Sequence, residues 1–414
     1  MRACKFATLL GSFFVFFQVL AQEPSLSFDS ASLPSKCVSQ SADSRWLVVR
    51  EFPQKSFPHT VSAGNYSGIA HLHDDVYAVV SDQSDSALYF KFRIQVDLET
   101  GELKHVENLG GVGSVIGKWR SIERPGQDKG FDLEAITKVS DSTLVVASEG
   151  KSCLKEFYIE TNAPQVGEAG DLWEWDVPSN VFYPNYGFES VAYDEPSKRL
   201  WAVSESTLRQ DGQPATSLNG CQNKLRLLAF EKRDALNRFS LSAVYPYLMD
   251  APSVSKKAQI YVMGVSELCV LPDGRILVLE REAFIPKQKL GAFCHCKLYV
   301  VNPKEKDSFV PKVKSMPEEN GVDESAGTKD RELADALRGS MDSCSSTQFL
   351  PKTLLTEWNT SLSLFGRSFA NYEGMCLGPV LKDGSQVLIL LSDSQNQYAG
   401  VLKDWFKTIV IKQK

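Results

Sequence analysis

The stretch Asn185-Tyr186-Gly187-Phe188-Glu189-Ser190-Val191-Ala192, carried through Asp194-Glu195-Pro196 into Leu200-Trp201-Ala202-Val203-Ser204-Glu205, decides the fold. It has a polar or aromatic opening, a small or acidic pair and a short apolar run. A turn follows, then a second apolar run that ends on an acid. The same grammar returns at Asn65-Tyr66-Ser67-Gly68-Ile69-Ala70, with Val76 onward ending on Ser81-Asp82. It returns at Phe131-Asp132-Leu133-Glu134-Ala135-Ile136, ending on Ser148-Glu149, and at Gly264-Val265-Ser266-Glu267-Leu268, ending on Glu280-Arg281. The last copy is Asn371-Tyr372-Glu373-Gly374-Met375, ending on Ser392-Asp393. Turn chemistry lies between the runs: Pro272-Asp273-Gly274 and Lys382-Asp383-Gly384 are tight-turn sequences, so each pair reads as a β-hairpin.

Working outward, third strands are expected at 88–96, 153–159, 225–230, 297–301 and 406–411. Outer strands are expected at 103–109, 173–177, 239–245 and 349–358. That makes four groups of four strands and one of three, and the missing outer strand is found at 46–52 near the N-terminus. The expected fold is therefore all-β: a single β-propeller of five blades, with six as the alternative, whose ring is closed by an N-terminal strand. Such closure removes the exposed edges of a flat sheet. A repeat architecture also lets 414 residues of ordinary globular composition, 43% hydrophobic and 23% charged, form one domain. Residues 311–339 stand apart as a polar insertion in the fourth group, with helical periodicity over 330–337.

The first residues read as a secretion signal. Arg2 and Lys5 precede an apolar run over 6–20 that is short for a membrane span, and Val19-Leu20-Ala21 offers a cleavage site. The expected layout is a signal peptide over 1–21 and a propeller domain over 22–414, secreted or periplasmic, with no transmembrane anchor. Loss of Arg2 and Lys5 moves the formal net charge from −6 to −8, which argues against nucleic acid as a partner. Cys37, Cys153, Cys221, Cys269, Cys294, Cys296, Cys344 and Cys376 remain, an even set that suggests disulfides in an oxidising compartment. Cys269 and Cys376 lie in apolar strand patterns and fit buried thiols equally well. Cys294-His295-Cys296 lacks a second ligand pair nearby, so a disulfide or structural role is favoured over zinc.

In a propeller the first strand of each blade lines the channel and the second runs antiparallel beside it. The start of one and the end of the other share a face. Glu134, Glu189, Glu267 and Glu373 open first strands, and Asp82, Glu149, Glu205, Glu280 and Asp393 close second strands, so all nine are expected at one channel mouth. Two carboxylates about 5 Å apart repel by roughly 3 kcal/mol at an effective dielectric of about 20. Protons, cations or arginine must relieve that repulsion, and many hard oxygen ligands suit Ca²⁺. Glu134, Glu189, Glu267, Glu373 and Asp393 are the candidate metal ligands. Glu134, Glu189, Glu373 and Arg281 are the candidate catalytic groups, with Arg281 on an anionic substrate oxygen. Asp82, Glu149, Glu205 and Glu280 are further mouth candidates. The aromatics Tyr66, Phe131, Tyr186, Phe188 and Tyr372 fit either ligand contact or packing between blades. Lys151 and Arg209 follow second strands.

In combination these segments resemble the phytase-like domain family, described by its esterase-like activity. The resemblance is carried by 131–136, 185–205, 264–282 and 371–394, with Lys297-Leu298-Tyr299 after the arginine, and covers roughly residues 60–412. Ala135 and Ser190 replace the usual glycine after the glutamate, and Ser394 and Gln395 stand where asparagines are more common. The resemblance implies metal-assisted hydrolysis of a phosphoester or other anionic small molecule. Two alternatives stay open. One is a calcium-stabilised propeller that binds a ligand or protein without turnover. The other is a carboxylesterase, against which stand the lack of a Gly-x-Ser-x-Gly elbow and a count of only five histidines.

Overall fold

The structure is a computed structural model that describes residues 45–82, 87–113, 132–150, 153–159, 173–176, 181–232, 239–309, 337, 340–341, 348–363, 366–395, 397 and 402–414. They belong to the compact unit Ser41–Lys414; the unit Met1–Gln40, with the expected signal peptide and Cys37, lies outside them. Phe131, Lys151, Cys344 and residues 311–336 of the insertion also lie outside.

The chain starts with β1 (Trp46–Glu51) and a short β2 (Lys55–Ser56). The first blade is β3 (Tyr66–His73), β4 (Val76–Ser81), β5 (Tyr89–Val96) and β6 (Leu103–Val112). The second is β7 (Leu133–Lys138), β8 (Thr143–Ser148), β9 (Cys153–Tyr158) and β10 (Trp173–Asp176). The third is β11 (Phe188–Asp194), β12 (Arg199–Ser204), β13 (Lys224–Lys232) and β14 (Phe239–Leu248). The fourth is β15 (Ile260–Val270), β16 (Ile276–Ile285), β17 (Ala292–Val301) and β18 (Lys352–Leu362). The fifth is β19 (Asn371–Val380), β20 (Gln386–Asp393) and β21 (Trp405–Gln413), completed by β1. The fold is thus a five-bladed β-propeller, closed as expected by the N-terminal strand, with Trp46 opposite Gln413.

Each blade is an antiparallel meander, and the inner strands β3, β7, β11, β15 and β19 follow one another around the axis. A blade has neighbours on both faces, which is why the second strands are continuous apolar runs and not alternating ones. In β4, β8 and β20 every residue is buried. The core is accordingly five separate apolar clusters, one in each gap between blades. Gly274 (φ 82°) and Gly384 (φ 79°) supply the left-handed residue of the tight turns read from the sequence. In those turns Asp273 Oδ1 accepts from Arg275 N at 3.1 Å and Asp383 Oδ1 from Ser385 N at 2.9 Å.

The residues on either side of the insertion lie along the third blade: Phe309 N donates to Val244 O (2.7 Å) and Leu350 N to Pro246 O (2.9 Å), so these two positions cover part of the outer edge of β14. Leu337 is buried in the cluster between the second and third blades. Met341 N donates to Asp211 Oδ1 (2.8 Å), whose carboxylate is held by the buried Arg226.

No disulfide joins the described cysteines; Cys153, Cys221, Cys269, Cys294, Cys296 and Cys376 are thiols. Cys294 and Cys296 face the fifth blade with sulfurs 3.8 Å apart. His295 points to the opposite side of β17, onto Glu357 (3.1 Å), so the three do not converge on a metal. No helix among the described residues is long and apolar enough to cross a membrane.

The gap between the first two blades is tight at Gly68. A methyl group there would stand 2.5 Å from Ala135 Cα and 2.8 Å from Glu134 O. Gly68→Ala is expected to cost about 1–3 kcal/mol of unfolding free energy through overpacking, read from urea denaturation. An unchanged midpoint would mean that the blades part more easily than their backbone contact implies.

Candidate functional site

The strand pairing sets which side chains meet at the mouth. Tyr66, Leu133, Phe188, Val265 and Tyr372 lie opposite Ser81, Ser148, Ser204, Glu280 and Ser392 in the five blades. In every inner strand the register then slips, and the bulge carries Ser67, Glu134, Glu189, Ser266 and Glu373. One residue past the second strand's serine stand Asp82, Glu149, Glu205, Arg281 and Asp393. Across from these stand Asn65, Asp132, Gly187, Gly264 and Asn371.

This register corrects the expectation that nine acids share the mouth. Glu280 occupies the place held elsewhere by serine, one residue short of the ring. It turns toward the third blade, where Tyr247 Oη donates to it, and Lys352 Nζ of its own blade's β18 donates as well, each at 2.6 Å. Glu267 is one residue past the bulge. It lies between the fourth and third blades and takes a very short hydrogen bond from Ser190 Oγ, with Leu268 N at 3.0 Å. Both leave the mouth because consecutive strand residues point to opposite faces. The place in the ring that Glu280 was expected to fill belongs to Arg281.

Arg281 is the hub. One terminal nitrogen donates to Asn371 Oδ1 (2.7 Å) and, in a very short contact, to Glu373 Oε1. The other donates to Glu205 Oε1 (2.6 Å) and Glu189 Oε1 (3.1 Å). Asn371 Nδ2 completes the set on Glu373 Oε1 at 2.7 Å. One buried guanidinium therefore ties the third, fourth and fifth blades together. Its four terminal N–H bonds are spent on the protein, so the expected hold on a substrate oxygen is not what this arrangement provides. Burial opposes its charge, but Glu373, Glu205 and Glu189 outweigh that and hold its pKa well above the usual value.

The other half of the mouth has no such cation among the described residues. Asp82, Asp132, Glu134, Glu149 and Asp393 gather there. Glu134 is anchored by Ser67 Oγ, which donates to its Oε2 and its carbonyl, each at 2.8 Å. Glu149 Oε1 accepts from Gly187 N at 2.8 Å. Asp132, Glu134 and Glu149 each bring a carboxylate oxygen within 4.8 Å of the others. Ions bound by oxygen at about 2.3–2.6 Å space their ligands this far apart, so the trio fits a calcium-sized cation. Asp132 and Glu149 are half-exposed, which leaves the trio open to solvent.

Crowding has its electrostatic consequence. Burial, then the Asp393 and Glu373 charges, push Asp82 up to about 10. Burial and Glu373 push Asp393 up to about 8, against the Gln395 amide. Burial raises Glu134 well above its usual range, helped by Glu189 and Asp132. Glu189 and Glu205 are also raised by burial, with Arg281 pulling both back.

The backbone is held unusually here. Of the seven non-glycine residues with positive φ among the described residues, Asp132 (43°), Asn185 (63°), Gln395 (49°) and Gln397 (52°) lie in loops at the mouth. Such residues gather where surrounding structure enforces a site. Gly187 and Gly264 are glycines for steric reasons. A methyl at Gly187 would stand 2.7 Å from Glu149 Cγ, and one at Gly264 2.5 Å from Glu205 Cγ. The acid of each preceding blade folds over its neighbour at these points.

The expected aromatics divide. Tyr66, Phe188 and Tyr372 are buried between blades, with Tyr66 Oη on Ser62 O (3.1 Å) and Tyr372 Oη on Gln54 Oε1 (2.9 Å). Tyr186 alone of the four described is half-exposed at the mouth. Arg209 lies on the Tyr183 ring at 4.8 Å and bonds Phe182 O at 2.6 Å, pinning the loop that carries Tyr186. His71 and His73 lie at the far end of β3 from Ser67, so no serine–histidine pair forms there. Asp132 and Asn371 were not read as site residues. The serine-acid pair closing four second strands was the signal that would have aligned the repeats and shown them.

The Phytase-like family model, described as esterase-like activity of phytase, matches residues 61–395. No curated protein sequence matches the chain. Among solved structures, a streptogramin B lyase is 9% identical, with 87% of this chain and 98% of that one covered and a TM-score of 0.31. A luciferin-regenerating enzyme is 10% identical, covering 86% and 94%, with a TM-score of 0.36. An α-L-arabinanase from Penicillium chrysogenum, in complex with arabinobiose, is 9% identical, covering 85% and 98%, also at 0.36.

Two outcomes follow from the mouth. Arg281→Gln leaves buried glutamates without their cation and is expected to cost about 3–5 kcal/mol, read by urea denaturation; a loss below about 1 kcal/mol would show that the ring relaxes without it. The pH dependence has the opposite sign to that of an ordinary paired carboxylate. Raised carboxyls bind more protons folded than unfolded, so their stabilisation is full below about pH 4 and is lost as pH rises through about 8 for Asp393 and about 10 for Asp82. Calcium-free unfolding midpoints are expected to fall from about pH 5 to about pH 9. A rise across that window would contradict these assignments.

Proposed function

The chain belongs to the Phytase-like family, and from that premise we propose that it hydrolyses phosphoric esters of small anionic molecules at the acidic mouth of its channel. One observation carries the reading: the mouth is divided between glutamates neutralised by Arg281 and a solvent-open half where Asp132, Glu134 and Glu149 lie within ligand distance of one another.

Asp132, Glu134 and Glu149 are the residues that would hold Ca²⁺, with Asp82 and Asp393 beside them. Bound there, the ion would polarise an ester oxygen. The protein's own groups do the rest. Ser67 fixes the direction of Glu134, and the Gly187 amide fixes Glu149. Burial raises Glu189 and Glu205 above their usual range, the direction a general acid toward a departing oxygen needs. Arg281 keeps these glutamates at fixed positions; the role first expected for it, on the phosphoryl group, passes to other groups. Glu267 and Glu280 serve the contact between the third and fourth blades, so Glu267 drops out of the ligand set and Glu280 out of the mouth candidates. The work is assigned outside the cytoplasm, after cleavage near Ala21, on the charged and apolar pattern of residues 1–21.

A second reading has its own support. Every hydrogen bond of the Arg281 clamp also fastens neighbouring blades, as a calcium-stabilised binding propeller without turnover would need. The two part on one assay. p-Nitrophenyl phosphate and p-nitrophenyl acetate are offered to the mature protein with calcium, then with a chelator. The hydrolase reading expects phosphatase turnover that the chelator removes and that Glu134→Gln lowers on the order of 100-fold or more, the several kcal/mol that a metal ion supplies. Failure to turn over either ester, with the melting temperature still raised by calcium, would favour the binding propeller.

A further inference from the structure

The chemistry of the mouth leaves one need unmet. Acids line it, and the one arginine there among the described residues is committed to glutamates. A cation at the trio would meet one oxygen of an anionic ester, and an oxygen turned toward the glutamates of the Arg281 side needs a neutral donor. We propose that the Tyr186 hydroxyl is that donor, contacting the phosphoryl or carbonyl oxygen of the bound ester, an inference that rests on the hydrolytic reading above.

The argument begins with placement. Tyr186 precedes Gly187, whose amide is bonded to Glu149 of the cation-fitting trio at 2.8 Å. The charges of Glu205, Arg281 and Glu149 all act on its hydroxyl. The phenol thus stands on the seam between the two halves of the mouth. Its direction is enforced: Asn185 takes a left-handed conformation (φ 63°), and Tyr186 N closes the turn on Tyr183 O at 3.2 Å. Tyr183 Oη is bonded to Gly212 O at 2.7 Å, and Arg209 covers that ring. Strain and pinning of this kind are unnecessary for a side chain that merely fills space.

Comparison with the other phenols sharpens the point. Tyr66, Tyr183, Tyr261 and Tyr372 each give their hydroxyl to an acceptor: Ser62 O, Gly212 O, Glu282 Oε1 and Gln54 Oε1. Tyr186 Oη has no hydrogen-bond partner among the described residues; Tyr77, Tyr158, Tyr193 and Tyr245 share that state, but on strand positions away from the mouth. Burial and the Glu205 charge push its pKa up to about 12, against Arg281, so it stays protonated and can donate throughout the neutral range.

The test compares the wild-type protein with Tyr186→Phe and Glu134→Gln, using p-nitrophenyl phosphate as substrate and inorganic phosphate as competitive inhibitor, in calcium. Loss of one positioned donor typically costs ~10²–10³ in turnover. Tyr186→Phe is therefore expected to lower kcat/KM on the order of 100-fold and to weaken phosphate inhibition, with an unchanged melting temperature and calcium response. Wild-type turnover that Glu134→Gln abolishes and Tyr186→Phe leaves intact would overturn the role of Tyr186 alone. A fall in kcat/KM accompanied by a lower melting temperature, with phosphate inhibition unchanged, would mark Tyr186 as structural and overturn the proposal too. Absence of wild-type turnover on phosphate and acetate esters would remove the hydrolytic reading and this inference with it.

Discussion

Five inner strands share one axis, and everything else in this molecule answers to that crowding. Side chains at the same height in each blade must occupy one small volume. Apolar residues meet the demand easily, and five clusters fill the gaps between blades. Where the backbones nearly touch, only glycine fits, as at Gly68 against the second blade. At the mouth the same crowding forces carboxylates together, and their mutual repulsion becomes the central problem of the site.

Two solutions stand side by side. On the third, fourth and fifth blades Arg281 replaces the acid of the ring and gathers Glu189, Glu205 and Glu373, with Asn371 as a clip. On the first and second blades the acids are instead held by a serine hydroxyl, a backbone amide and retained protons. The asymmetry gives a fivefold scaffold a single direction: one side is tied together by a guanidinium, the other gathers acids and is open to solvent. Tyr186 lies between them, on a loop whose strain is sustained by Arg209 and Tyr183. Reaction chemistry on a symmetric scaffold needs a break of this kind, because substrate must bind in one orientation.

The strands were legible because each obeys a local rule. Second strands such as 387–391 are unbroken apolar runs, as expected for sheets covered on both faces, and Asp-Gly turns mark the hairpins. The strand at 46–52 was legible as well, since an odd group of three leaves an edge that something must cover. The site was legible only to within one residue. Aligning repeats on their glutamates put Glu267 and Glu280 in the ring. Aligning them on the serine that precedes the acid, in Ser81-Asp82, Ser148-Glu149, Ser204-Glu205 and Ser392-Asp393, puts Arg281 there instead.

By itself, then, the sequence determined the all-β class, a count of five blades with six left open, the ring closure and the gathering of acids at one end, because these follow from hydrophobic pattern, turn residues and strand direction. Only the tertiary structure decided which acids meet. A bulge in each inner strand shifts register by one residue, and one residue turns a side chain to the opposite face. The partners of Arg281 come from the two neighbouring blades, each more than seventy residues away from it in sequence. No local pattern encodes that distance. It is set when the ring closes and the charges have nowhere else to go.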